Sequence, residues 1–147
     1  MKTLNRKIIA NVLLIAMFFV CTPTISMAEV LDDSNQMKLL SPRLTFIVDA
    51  MADLEITGTT ATVDCWVRGS YSTATKAKII VELQLESGTD NWIAHATWVD
   101  TQNDYEAAVY ETKGVKTGQN YRVKVTATVW EGSQSETVTF FTDEVTA

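Results

Sequence analysis

His95 is the one histidine in 147 residues, and a lone imidazole is the first group to weigh as a general base. Nucleophilic hydrolysis needs that ring beside a serine or cysteine and an orienting acid. The chain has no Gly-x-Ser-x-Gly elbow and no recognisable local Ser/His/Asp arrangement, so His95 reads as a packing or surface residue of a strand. Paired carboxylates for glycoside hydrolysis depend on separation in space, and a domain of this size seldom encloses the cleft. Cysteine and histidine fall in no zinc-ligand spacing, and the glycines punctuate turns rather than build a phosphate loop. Asp32-Asp33-Ser34-Asn35 and Asp100 with Asn103-Asp104 offer oxygen ligands, yet neither has the pattern of a calcium loop, which gathers about six to eight oxygens. The expectation is therefore no catalytic residue, no metal and no cofactor. A small secreted hydrolase is the disfavoured alternative, and activity lost on His95→Ala is the result that would revive it.

Aromatic placement gives a better lead, and it points to binding. Trp92 and Trp98 share parity on one stretch, with Ala94 and Ala96 between them. Large over small is the pattern of core filling; exposed, the same rings make a flat adhesive face for sugars or an apolar protein patch. Trp66 is out of phase with Cys65 and Val67 and is the better candidate for exposure. Trp130, Tyr71 and Tyr110 lie near strand ends or loops. Trp66, Trp92 and Trp98 are the candidate binding residues.

The elements that must position these side chains are strands. Ala61, Val63, Cys65 and Val67 alternate with Thr62, Asp64, Trp66 and Arg68. Ile79, Val81, Leu83 and Leu85 alternate with Ile80, Glu82, Gln84 and Glu86, and Tyr121, Val123, Val125, Ala127 and Val129 with Arg122, Lys124, Thr126 and Thr128. A period of two sends successive side chains to opposite faces, and no stretch after the N-terminal segment supplies the spacing of a helix. Residues 45–48, 54–56, 92–99, 105–110 and 136–142 read as further strands, separated by turn residues at 58, 69–75, 87–91, 100–104, 114–120 and 131–133. About seven strands, each with one apolar face, predict an all-β, two-sheet antiparallel β-sandwich. The rows Ile79/Val81/Leu83/Leu85 and Val123/Val125/Ala127/Val129 are expected to face each other across the two sheets. Cys65, in phase with the apolar row, is expected as a buried, inert thiol.

The N-terminal 28 residues have a different logic. Lys2, Arg6 and Lys7 precede an apolar run at 8–20, followed by Pro23 and Ser26-Met27-Ala28. That order is a secretory signal peptide, an apolar helix, with cleavage between Ala28 and Glu29. The run is about 13 residues, short of the roughly 20 that span a bilayer, so no membrane association is expected after signal removal. Cys21 offers a minority alternative, a lipoprotein anchor, but Val20 before it and Phe18 three back suit lipid attachment poorly. Cleavage removes Cys21 and leaves Cys65 without an internal disulfide partner; pairing between chains stays open. The remaining 119 residues hold nine Lys+Arg against eighteen Asp+Glu, a formal charge of −9. Such a balance repels phosphate backbones and excludes nucleic acid as the expected partner. Residues 29–41 read as a flexible acidic lead-in and 42–147 as one domain.

Gly118-Gln119-Asn120-Tyr121-Arg122-Val123-Lys124-Val125-Thr126-Ala127 resembles the penultimate strand of fibronectin type III domains. The resemblance implies that Tyr121 is the corner tyrosine, its ring in the core and its hydroxyl bonded to nearby backbone. Ser41-Pro42-Arg43-Leu44-Thr45-Phe46-Ile47, Leu54-Glu55-Ile56, Ala61-Thr62-Val63-Asp64-Cys65, Val81-Glu82-Leu83-Gln84-Leu85 and Asn91-Trp92 are together similar to a family of small secreted proteins of Gram-positive bacteria with a fibronectin type III-like or immunoglobulin-like domain. That family implies secretion and a sandwich and carries no activity. The expected function is a secreted, non-enzymatic module that engages an unknown protein or envelope glycan through a surface patch or sheet edge. The alternative is a carbohydrate-binding module using its tryptophans.

Overall fold

A computed structural model describes residues 44–147 in full and the backbone of two short strands before them, β1 (Ala28–Leu31) and β2 (Met37–Leu40). The expected signal helix and Cys21 lie outside the described residues. Seven long strands follow: β3 (Ile47–Thr57), β4 (Thr60–Gly69), β5 (Lys76–Glu86), β6 (Trp92–Gln102), β7 (Glu106–Gly114), β8 (Asn120–Glu131) and β9 (Gln134–Phe141), then a short β10 (Val145–Thr146). They form two antiparallel sheets, and the fold is an all-β sandwich.

Sheet A runs β1-β2-β3-β4-β7. Sheet B runs β6-β5-β8, with β9 and β10 both on the far side of β8. β1 and β2 pair antiparallel, from Ala28 opposite Leu40, so that all but Ala28 of this pair falls in the stretch 29–41 that the sequence reads as a flexible lead-in. β3 is a single long strand where alternation alone predicts two short apolar pieces. Its middle uses Ala50 and Ala52, both fully buried but too small to announce a strand by themselves. Val48 bulges out of the β3–β4 register and is 65% exposed.

Alternation builds the core. Ala50, Ala52 and Leu54 of β3, Ala61, Val63, Cys65 and Val67 of β4, and Ala107 and Val109 of β7 line the inner face of sheet A. Ala77, Ile79, Val81 and Leu83 of β5, the odd-numbered residues 121–129 of β8, and Phe140 of β9 line that of sheet B. One sequence expectation is corrected here. The β5 and β8 rows do not face each other across the sandwich; they are neighbours in one sheet, with Ile79 opposite Ala127 and Val81 opposite Val125. The residues across from them come from β3, β4 and β7. Each fully buried aliphatic contributes about 1.5–3 kcal/mol, and this core stands without a disulfide among the described residues.

Two local features fix one corner of the sandwich, where β3 begins and β4 ends. Gly69 closes β4 where a Cβ would lie 2.5 Å from Val129 Cγ1 and 2.7 Å from Ala74 Cβ, so only glycine lets the β4–β5 connection pass over β8. Beside it the Glu136 carboxylate, opposite Val129 on β9, accepts the backbone N–H groups of Thr45 (2.9 Å), Phe46 (2.8 Å) and Ile47 (2.9 Å), clasping the entry of β3 to sheet B.

Candidate binding faces

The core uses one face of each sheet and leaves two outer faces. On sheet A the register brings Met51, Trp66 and Ala108 into one cross-strand row and Asp53, Asp64 and Tyr110 into the next. Tyr110 is 70% exposed, Ala108 is exposed, and Trp66 is half-buried. Trp66 therefore stands on the outer face with no bulge in β4, as its phase against Cys65 requires. The Arg68 guanidinium lies 4.2 Å from the centroid of the Trp66 ring and bonds Glu106 at 2.5 Å. That hydrogen bond raises the Arg68 pKa above its ordinary value. Where β4 ends, Tyr71, 83% exposed, meets Tyr105 edge-on at 5.1 Å. The result is an aromatic strip along β4 and β7, mixed with carboxylates.

On sheet B, Trp92, Glu86, Gln84 and Arg122 gather at one end of the outer face. Arg122 is held against two rings, 4.2 Å from the Trp92 centroid and 4.6 Å from that of Phe141, and its Nε donates to Gln84 Oε1 at 3.0 Å. At the other end Lys76 lies 4.8 Å from the Trp130 centroid. Between them threonine hydroxyls pair across β8 and β9, Thr128 with Thr137 at 2.9 Å and Thr126 with Thr139 at 3.3 Å.

The three tryptophans singled out from sequence do not come together. Trp66 is on sheet A, Trp92 on the outer face of sheet B, and Trp98 turns inward, opposite Val81 and packed against the core. The shared parity of Trp92 and Trp98 is broken by a bulge: Ala96 pairs with Leu83 and Ala94 with Gln84, leaving His95 as the extra residue. His95 donates Nε2–H to the carbonyl of Gly114 at 2.9 Å and meets the Tyr121 ring edge-on at 5.7 Å. These contacts brace β6 against the end of β7 and the start of β8.

Tyr121 has a fully buried ring, and its hydroxyl accepts the N–H of Lys116 at 2.9 Å, tying the β7–β8 loop to the core. Cys65 is fully buried, and desolvation pushes its thiol pKa up to about 12, which holds it as the unreactive neutral form. Asp100 and Asp104 line an open recess with Gln102, Tyr105, Glu106 and Ala108. Asp100 is committed there to the Ala108 N–H at 3.0 Å and the Gln102 amide at 2.7 Å. Among the described residues no three His, Cys, Asp or Glu side chains are placed to hold a metal ion. The other acidic cluster, at 32–35, lies outside the described residues.

Arg122, Lys78 and Phe141 are the face residues that reading the sequence alone missed. Their signal was present: cations occupy the polar parity of both β5 and β8. It becomes a face only once those two strands are known to be adjacent. A scan of protein-family models, a search of curated proteins and a search of solved structures each returned no match.

Proposed function

We propose that this chain is an exported, non-enzymatic binding module that engages a partner protein through the outer face of sheet A. The observation that carries the reading is the row of Trp66 and Ala108 with Tyr110 on the adjacent row, since the core is complete without these side chains. Aromatic residues, methionine and arginine are the types enriched where protein interfaces are buried, and all three stand here in Trp66, Tyr110, Met51 and Arg68. Export is supported by the signal-like order of residues 1–28. A fibronectin type III-like assignment is supported by the strand order, β3-β4-β7 against β6-β5-β8-β9, and by the bond from Lys116 to the Tyr121 hydroxyl.

The test is site-specific photo-crosslinking in the native exported fraction, with the probe at Tyr110 on sheet A and, separately, at Val99 on sheet B. A distinct protein adduct from position 110 and none from 99 is expected. Purified partner then binds Trp66→Ala more weakly by about 30-fold or more, the scale of an interface anchor, with circular dichroism unchanged. Affinity untouched by both Trp66→Ala and Tyr110→Ala counts against the face. Turnover in a hydrolase panel, abolished by His95→Ala, counts against a non-enzymatic role.

A further inference from the structure

We infer that the outer face of sheet B is a second, independent binding site, and that it takes a carboxylate-bearing polysaccharide. Residues 44–147 carry seven basic and fifteen acidic side chains, a formal charge of −8. The outer face of sheet B reverses that sign. Lys76, Lys78, Arg122 and Lys124 lie there against Glu82 and Glu86, a net +2, and no other charged residue of β5, β6, β8 or β9 falls on that parity. Random solvation of an acidic domain would not concentrate four of its seven cations on one surface.

The cations are only partly spent. Lys124 reaches the Glu82 carboxylate at 3.5 Å, a long contact. Arg122 bonds Gln84 through Nε alone; its terminal nitrogens have no hydrogen-bond partner among the described residues. Lys78, half-buried beside Thr128, has no ion pair among them. A guanidinium fixed by Trp92 and Phe141 and open at its terminal nitrogens is preorganised for a planar carboxylate, which it meets with two parallel hydrogen bonds. From the Arg122–Gln84 row to the Lys78–Thr128 row is six residues of β5, about 20 Å at a strand rise of roughly 3.3 Å. Charges spread over that length fit a chain rather than a single small anion.

Aromatic rings and hydroxyls choose between kinds of chain. Trp92, Phe141 and Trp130 punctuate the face, and Thr97, Thr101, Thr126, Thr128, Thr137 and Thr139 lie between them, with Ile80 and the exposed Val99 in the middle row. A pyranose presents a flat C–H face to a ring and a rim of hydroxyls to neighbouring threonines. An acidic peptide would seek main-chain pairing, and β5 and β8, at the centre of this face, have both backbone edges engaged.

Purified protein is titrated with polygalacturonate, with neutral dextran and with poly-L-glutamate, reading tryptophan fluorescence and calorimetric heat. Polygalacturonate binding is expected, weakened at least about tenfold by Lys78→Glu and by Arg122→Gln, and suppressed at about 1 M salt, where the screening length falls to about 3 Å. Thermal melts of both variants check that the fold is retained, and Lys78→Glu, at a surface position, is the control should Arg122→Gln unfold. Trp66→Ala leaves the polymer affinity unchanged, which separates this site from sheet A. No binding of polygalacturonate, equal binding of dextran, poly-L-glutamate bound as tightly, or indifference to Lys78→Glu each overturns the assignment.

Discussion

Asp100 of β6 caps Ala108 of β7: its Oδ2 accepts the Ala108 N–H at 3.0 Å. These two strands are the open edges of opposite sheets, lying side by side along one flank of the sandwich. His95 treats the other end of β7 in the same way through the Gly114 carbonyl. Unpaired edge groups are templates for pairing with other chains, and inward-pointing charges and bulges are how sheets blunt them. Here side chains from one exposed strand satisfy the backbone of the other. At these two points of the flank the edge of β7 is occupied by side chains, which disfavours strand addition there.

Asp100→Ala frees the Ala108 N–H and costs about 1 kcal/mol, the usual net value of one such bond. The stronger consequence is association. Light scattering of the variant at high protein concentration should grow with time while the parent stays monodisperse. A variant as monodisperse as the parent shows that the cap does not protect the edge.

Glu136 holds three successive N–H groups with one carboxylate. Glu136→Gln keeps the shape but removes the charge and one acceptor, and is expected to cost about 2 kcal/mol, since hydrogen bonds to charged groups are worth about 1.5–3. Urea unfolding followed by tryptophan fluorescence measures it. Hydrogen exchange should quicken at Phe46 and Ile47 before it does in β4 or β8. Uniform exchange across the core would place the stabilisation elsewhere.

Cys65 gives a pH signature. The thiol is raised from 9.0 to about 12 in the folded protein, so the folded state holds a proton that the unfolded chain releases. The contribution is fully present below pH 9 and is lost as pH rises through 9 to about 12. Unfolding free energies of the parent and Cys65→Ala should therefore run parallel below pH 9 and converge above it, with the parent falling faster. Folded protein should also resist thiol reagents at neutral pH and react once denatured. Parallel curves up to pH 12 would falsify this reading.

Period-two alternation made the sandwich legible because core-facing side chains are apolar and their neighbours polar in β4, β5 and β8. What it could not supply was partnership. Nothing local in Ile79-Ile80-Val81 says that Val123 and Val125 lie beside it rather than opposite, because both arrangements bury the same parity. β3 reads as two pieces in the sequence because alanines at 50 and 52 carry little apolar signal, although both are fully buried. Trp66 could be placed on an outer face by phase alone. Trp92 and Trp98 could not, because one inserted residue between them resets the alternation without leaving a mark such as glycine or proline. The Arg122 cluster was illegible for the same reason as the sheet order: it is assembled from β5, β6, β8 and β9.

The bulge at His95 divides β6 into two independently tunable halves. Before it, Trp92 and Ala94 answer to the solvent; after it, Ala96 and Trp98 answer to the interior. Mutational drift at the start of the strand can therefore reshape what the molecule adheres to without disturbing how it folds. Deletion of the single residue 95 would leave Ala94 opposite Gln84 and Ala96 opposite Leu83 in an unbroken ladder, keeping both faces and removing only the brace to Gly114.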